Sequence, residues 1–172
     1  VYVGGRFVLA DFDPSEDGSV EILATNGTGA DFDGFVVKLD SLGNFVSIRH
    51  FTGPEYVSIY SIHVEDSGEL YITGSFTGSM DLDPGSGEIL VDSEGDWDVF
   101  LVKLDSEGDY VWGHTFGGTG RESSTELAVD EHNIYLGGLF EGTVDFNPGG
   151  ATNEISVPAG LRNGFISKFD KE

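Results

Sequence analysis

Three short runs of acidic residues give this 172-residue chain its clearest opportunity for chemistry. They read Asp11-Phe12-Asp13-Pro14, Asp81-Leu82-Asp83-Pro84 and Asp145-Phe146-Asn147-Pro148. In extended backbone, residues i and i+2 share a face, so each carboxylate pair points one way while Phe12, Leu82 or Phe146 points the other. Carboxylates held this close repel, and a hard cation that takes oxygen ligands relieves the repulsion, which makes calcium the candidate ion. Asp33 and Asp98, with Asp31 and Asp96 two residues earlier, sit before the next apolar stretch and are candidate further ligands; Asn163 takes that place in the third copy. The expected metal set is therefore Asp11, Asp13, Asp33, Asp81, Asp83, Asp98, Asp145 and Asn147, with the third site poorer for its Asn residues. The same residues have a second use, because Asp before Pro caps a turn through its side chain. Asp13-Pro14-Ser15-Glu16-Asp17-Gly18 lacks the alternating acids and the terminal Glu of an EF-hand loop.

Other reactive side chains lack a supporting pattern. His50, His63, His114 and His132 fall at non-equivalent places with no metal-ligand spacing, and read as strand or turn residues. Gly117-Gly118-Thr119-Gly120 has no Walker lysine and no following helix, and reads as a corner between units. Trp97 and Trp112 could stack on sugars, although one aromatic per unit ordinarily packs between sheets. Asn26-Gly27-Thr28 matches a glycosylation sequon and equally a turn. With no cysteine, disulfides, thiolate metal sites and a Cys nucleophile are excluded.

The elements that must position these residues are written three times. YVGGRFVLADFDP, YITGSFTGSMDLDP and YLGGLFEGTVDFNP begin at Tyr2, Tyr71 and Tyr135, and Lys38, Lys103 and Lys168 in VVKLD, LVKLD and ISKFD lie 65 residues apart. A fixed period marks one supersecondary unit copied in series, its core completed by stacking on neighbours. The middle copy predicts strands over Ser58–Glu65, Leu70–Asp83, Asp98–Asp105 and Tyr110–Phe116. Asp66-Ser67-Gly68-Glu69 and Asp105 to Asp109 supply tight turns, and Asn133 is expected to take the left-handed place in the third copy. The fold class predicted is all-β: three consecutive four-stranded antiparallel meanders of the β-propeller blade type, over residues 1–53, 54–118 and 119–172. The recurrent lysines read as structural residues at the blade edge.

The first copy starts at its second strand and the third stops after its third, so strand counts of three, four and three are expected, with open edges and no closed ring from this chain alone. A longer array, or neighbouring chains at the edges, would complete it. The segment Ser15 to Ala30 is the longest connection and is expected to be the least structural, apart from a short strand around Val20, Ile22 and Leu23.

The wording GSFTGSMDLDPGSGE, WDVFLVKLDSEGDYVWGHTFGGTGRESS and LAVDEHNIYLGG resembles the secreted bacterial β-propeller repeat, the SBBP type, over nearly the whole chain. That resemblance implies a β-propeller, often part of large exported or surface proteins, and no particular activity.

Composition bounds the partners. The net charge of −23, from 31 Asp and Glu against 8 Lys and Arg, repels nucleic acid and anionic lipid and favours cations. With 38% hydrophobic residues spread evenly a packed core is affordable, so the acidity is assigned to surface and loops. No apolar run reaches the ~20 residues of a membrane helix. No signal peptide is visible, and a start at Val1 suggests a mature or excised chain. The leading expectation is a non-catalytic, secreted or cell-surface module, stabilised by calcium, with a structural, adhesive or binding role. The alternatives are a glycan-binding or glycan-cleaving propeller and a strand-exchanging building block of an oligomer or fibre. Two non-repeated carboxylates facing a central funnel beside an aromatic would favour the glycosidase.

Overall fold

The computed structural model describes residues 1–15, 18–25, 31–147 and 152–171. The sequon and the ends of the Ser15 to Ala30 segment, residues 16, 17 and 26–30, lie outside the described residues, as does Pro148. The described residues form strands only, and none of them builds a helix long and apolar enough to cross a membrane.

Three antiparallel sheets carry the core. The first is built from β1 (Tyr2–Phe7), β4 (Asp33–Leu39) and β5 (Phe45–Phe51). The second has β6 (Val57–Val64), β7 (Leu70–Phe76), β10 (Asp98–Leu104) and β11 (Tyr110–Phe116) in that order, and the third β12 (Ser123–Val129), β13 (Asn133–Glu141) and β16 (Arg162–Asp170). Strand counts of three, four and three follow the repeat, and the described residues close no ring.

Three two-stranded ribbons stand apart from these sheets: β2 (Leu9–Asp11) with β3 (Glu21–Leu23), β8 (Ser79–Asp81) with β9 (Leu90–Asp92), and β14 (Thr143–Asp145) with β15 (Glu154–Ser156). The single strand expected over Leu70–Asp83 is therefore two, broken where Gly78 takes a φ of 65° that an L side chain resists. The first ribbon contains the short strand expected within Ser15 to Ala30 and adds structure beside it. The short strand is present as β3, Ala24 is buried, and Thr25 binds Asp33, so residues 21–25 are structural. The turn glycines Gly68 and Gly108 have the expected positive φ, but Asn133 does not: no described non-glycine residue does. Asn133 instead begins β13 and donates its N–H to Asp130 Oδ1 at 2.8 Å.

Every residue of β7 and all but Lys103 of β10 are buried, because the second sheet is covered on both faces. Val36 and Phe51 of the first sheet pack with Val57, Ile59, Ile72, Phe76, Phe100 and Val102 on one side. On the other, Tyr71, Val99, Leu101 and Phe116 meet Leu127, Ile134 and Leu136 of the third sheet. The repeated lysine pairs across strands with the repeated tyrosine: Lys38 opposite Tyr2 with Nζ 5.3 Å from the ring, Lys103 opposite Tyr71 at 5.4 Å, and Lys168 opposite Tyr135. The lysine stem covers apolar surface while its charge rests on the ring face. Cations also tie neighbouring sheets. Arg49 of β5 donates to the carbonyls of Glu107 and, at 2.6 Å, Gly108 in the second sheet's turn, and Lys171 reaches Glu65 at 2.5 Å.

β6 and β12 each carry a bulge, at Tyr60 and at Thr125. The bulge presses a carbonyl onto the next strand: a Cβ on Gly74 would lie 1.9 Å from Ser58 O, and one on Gly138 2.3 Å from Ser123 O. Gly74→Ala is therefore expected to cost at least about 2 kcal/mol in urea unfolding. Gly137→Ala, where the nearest atoms are 3.9 Å away, should cost less than about 1 kcal/mol, and equal losses would contradict this account.

Candidate functional site

The acidic corners sit at the start of each ribbon's loop, where β2, β8 and β14 end on Asp11, Asp81 and Asp145. Each of these three carboxylates accepts two backbone N–H groups at one oxygen. Asp11 Oδ1 takes Asp13 N at 3.0 Å and Val20 N at 2.8 Å; Asp81 Oδ1 takes Asp83 N at 2.9 Å and Ile89 N at 2.8 Å; Asp145 Oδ1 takes Asn147 N and Asn153 N, both at 2.9 Å. One bond makes the turn and the other closes the loop across its mouth. The second acid caps the next step, Asp13 Oδ1 accepting Ser15 N and Asp83 Oδ1 accepting Gly85 N. The backbone then folds over it, since a Cβ on Gly87 would lie 2.1 Å from Asp83 Oδ2. N–H donors from Val20 and Asp13 hold the Asp11 carboxyl below the usual carboxylate range.

The apolar halves of the corners pack as their spacing predicts. Phe12 lies 5.1 Å from Phe7 and 4.8 Å from Phe35, Phe146 lies 5.2 Å from Phe140 and 4.8 Å from Phe165, and Leu82 is buried in the first core.

Asp33 and Asp98 are fully buried at equivalent places, opposite Phe7 and Phe76, whereas Asn163 opposite Phe140 is exposed. Among the described residues no three His, Asp or Glu side chains gather as a metal-holding group, so Asp33 and Asp98 do not join the corner pairs into one cluster. Each binds the loop that follows its ribbon. Asp33 Oδ2 accepts Thr25 N and Thr25 Oγ1, each at 2.8 Å, and meets His50 Nε2 at 2.7 Å. Burial pushes the Asp33 carboxyl up, but the bonds from His50 and Thr25 outweigh it and leave it below the usual range.

At Asp98 the same balance falls the other way. Thr115 occupies the place of His50, and Asp98 Oδ2 accepts the Glu94 N–H at 2.9 Å. Burial, with the Glu94 charge beside it, pushes Asp98 up to about 6. Glu122 stands at the position of Val57, also fully buried, and accepts Gly118 N at 3.0 Å. Burial and the charges of Asp98 and Glu141 push it up to about 7. The Gly117-Gly118-Thr119-Gly120 corner thus wraps two buried carboxyls, with Gly117 so tight on Asp98 that a Cβ there would lie 2.0 Å from its carboxyl carbon. Nothing in the repeat spelling marks Glu122; the one available signal is an acid where the middle copy has Val57.

A ladder of rings runs along one end of the sheets. Phe32 stacks on Tyr56 at 5.6 Å, Tyr56 faces Trp97 at 5.6 Å, Arg6 lies over Phe32 at 4.9 Å and Arg121 over Trp97 at 5.2 Å. Parallel bridges Phe32 to Tyr56 and Trp97 to Arg121 set the spacing. Trp112 packs instead against Tyr71 and His114. Beyond Trp97 opens a cleft of about 410 Å³, lined by Tyr60, Arg121, Ser123, Thr125 and Arg162 among others and by no carboxylate. The placement expected of a glycosidase is not found at this cleft.

The chain matches no known family model and no curated protein.

Two measurements follow from the acids. A carboxyl raised by folding contributes stability that is full near pH 4 and is lost as pH rises through its folded value. Asp11, Asp33, Asp40 and Asp130 shift downward, so the stability they contribute is lost as pH falls below the usual carboxyl range. Urea stability should peak between about pH 4.5 and 6 and decline toward pH 8. Asp98→Asn and Glu122→Gln should each recover about 1–2 kcal/mol at pH 8 and almost nothing at pH 4.5. At the corners, Asp81→Ala should cost about 1 kcal/mol in chelator, by orphaning two N–H groups, and Asp81→Asn much less, because its amide oxygen still accepts. Equal losses would show that the carboxylate holds the loop by charge alone.

Proposed function

We propose that the chain is a run of propeller blades of the secreted bacterial β-propeller repeat type, serving a non-catalytic structural, adhesive or binding role in a secreted or cell-surface assembly. The observation that carries this reading is the recurrence of one plan: three antiparallel sheets with strands in meander order, each with a carboxylate-capped ribbon at the same corner. Distinctive features that belong to the repeat itself suit a scaffold, whereas catalysis asks for a unique group among unlike neighbours. The charge of −23 argues against nucleic acid and anionic lipid as partners. The unpaired edges of β1 and β16 suit further blades or a neighbouring chain, whose strands would satisfy their backbone groups.

Calcium is part of the proposal at Asp11 with Asp13 and at Asp81 with Asp83, where paired acids recur in a strongly acidic chain. One oxygen of each leading Asp is committed to the loop, so the ion would draw on the remaining carboxylate oxygens and on loop carbonyls. Extracellular calcium modules bind with Kd of about 0.1–1 mM, and at 100 times Kd one site adds about 2.7 kcal/mol. Calorimetric titration of the folded chain with calcium should show saturable binding in that range, weakened at one site by Asp83→Asn, with a higher Tm in calcium than in chelator. A flat titration with superimposable melts would remove calcium and leave the carboxylates as loop caps.

A further inference from the structure

The third copy departs from the repeat most sharply in one patch, and that patch faces the cleft at the end of the ring ladder. Positions that hold Tyr56, Val57, Ser58, Ile59 and Tyr60 in the middle copy hold Arg121, Glu122, Ser123, Ser124 and Thr125 in the third. The place of Phe32 and Trp97 is taken by Arg162. Two of the chain's four arginines therefore line a single cleft in a protein of net charge −23.

Their surroundings differ. Arg162 is held by Glu141, with Nε 3.4 Å from the carboxylate. Arg121 lies with its face on Trp97 and has no carboxylate partner among the described residues. Stacking occupies the face of a guanidinium and leaves its in-plane N–H groups free for a planar, bidentate acceptor. The two bulges deliver Tyr60 and Thr125 to the same cleft, which is a recognised use of a bulge. Ser124, 2% exposed, also lines it, and its hydroxyl has no hydrogen-bond partner among the described residues.

We propose that this cleft binds a sugar acid, a carboxylate-bearing residue of an acidic oligosaccharide. Arg121 takes the carboxylate, Trp97 and the exposed Tyr60 receive the C–H faces of the sugar ring, and Ser123, Ser124 and Thr125 meet its hydroxyls. The aromatic faces favour a sugar ring over a free inorganic anion, and the arginines favour an acidic sugar over a neutral one. This site is independent of the calcium corners.

Calorimetric titration with an oligogalacturonate and with its methyl ester tests the assignment, at about 0.15 M salt to screen the protein's own charge and with chelator present to exclude bridging calcium. Saturable binding of the acid is expected, at least about tenfold tighter than the ester and weakened at least about tenfold by Arg121→Gln. Glu141→Gln, which releases Arg162, should strengthen binding several-fold, and Thr125→Val should weaken it; melting curves verify that each variant folds. Absence of saturable binding, equal binding of acid and ester, binding unchanged in folded Arg121→Gln, or displacement by inorganic phosphate at equal concentration would each overturn the proposal.

Discussion

Most of the described ribbons and hairpin turns of this chain leave backbone N–H groups that no strand satisfies, and carboxylates accept them. In an all-strand protein the turns are many, and a buried or half-buried donor without an acceptor costs more than a hydrogen bond usually returns. Asp11, Asp81 and Asp145 close the ribbons, Asp40, Asp105 and Asp130 close hairpin turns, and Asp33, Asp98 and Glu122 hold the loops at Thr25, Glu94 and Gly118. A share of the acidity is thus an inventory of loop acceptors. The ribbons, the turns and the approach of one sheet to the next all depend on it.

The same device is used at two seams with opposite electrostatic results. At Asp33, beside the first and second sheets, a histidine and a threonine hydroxyl hydrogen-bond the carboxylate and hold it below the usual range. Between the second and third, Asp98 has lost the histidine, and Glu122 adds a second carboxyl where a valine would have been neutral. An uncompensated buried charge is destabilising, so the second seam carries a cost that the first avoids. That cost lies beside the patch where the third copy leaves the repeat, the pattern expected where local consistency yields to another demand.

Much of the architecture was legible in the chain because the relevant signals are local and repeated. Period, alternation and turn glycines gave the three, four and three strands of the main sheets, with ranges for the middle one, and the i, i+2 rule placed Phe12, Leu82 and Phe146 on the packed side. The break at Gly78 was not legible, since apolar and polar residues alternate straight through it and only the backbone angle ends the strand. Asn133 was misplaced because its turn is closed by Asp130 and needs no left-handed residue. Asp33 and Asp98 look like loop acids in sequence, and their burial follows from the opposing Phe7 and Phe76. The ring ladder was hidden for a different reason. Tyr56 and Trp97 lie 41 residues apart within the middle copy, and Phe32 joins them from the first copy only through the bridge between sheets.

That ladder makes the protein its own optical gauge. Tyr56 stands just before β6 and Trp97 just before β10 of the same sheet, with Phe32 reaching across from before β4 of the first sheet. Excitation of Tyr56 passes efficiently to an indole at this separation, and the emission colour of Trp97 responds to the guanidinium of Arg121 on its face. A slip between the first two units would move Phe32 against Tyr56 and so disturb the ladder. With Trp112, which packs elsewhere against Tyr71, replaced by Phe, the light emitted from this one end reports the place where the first and second units meet.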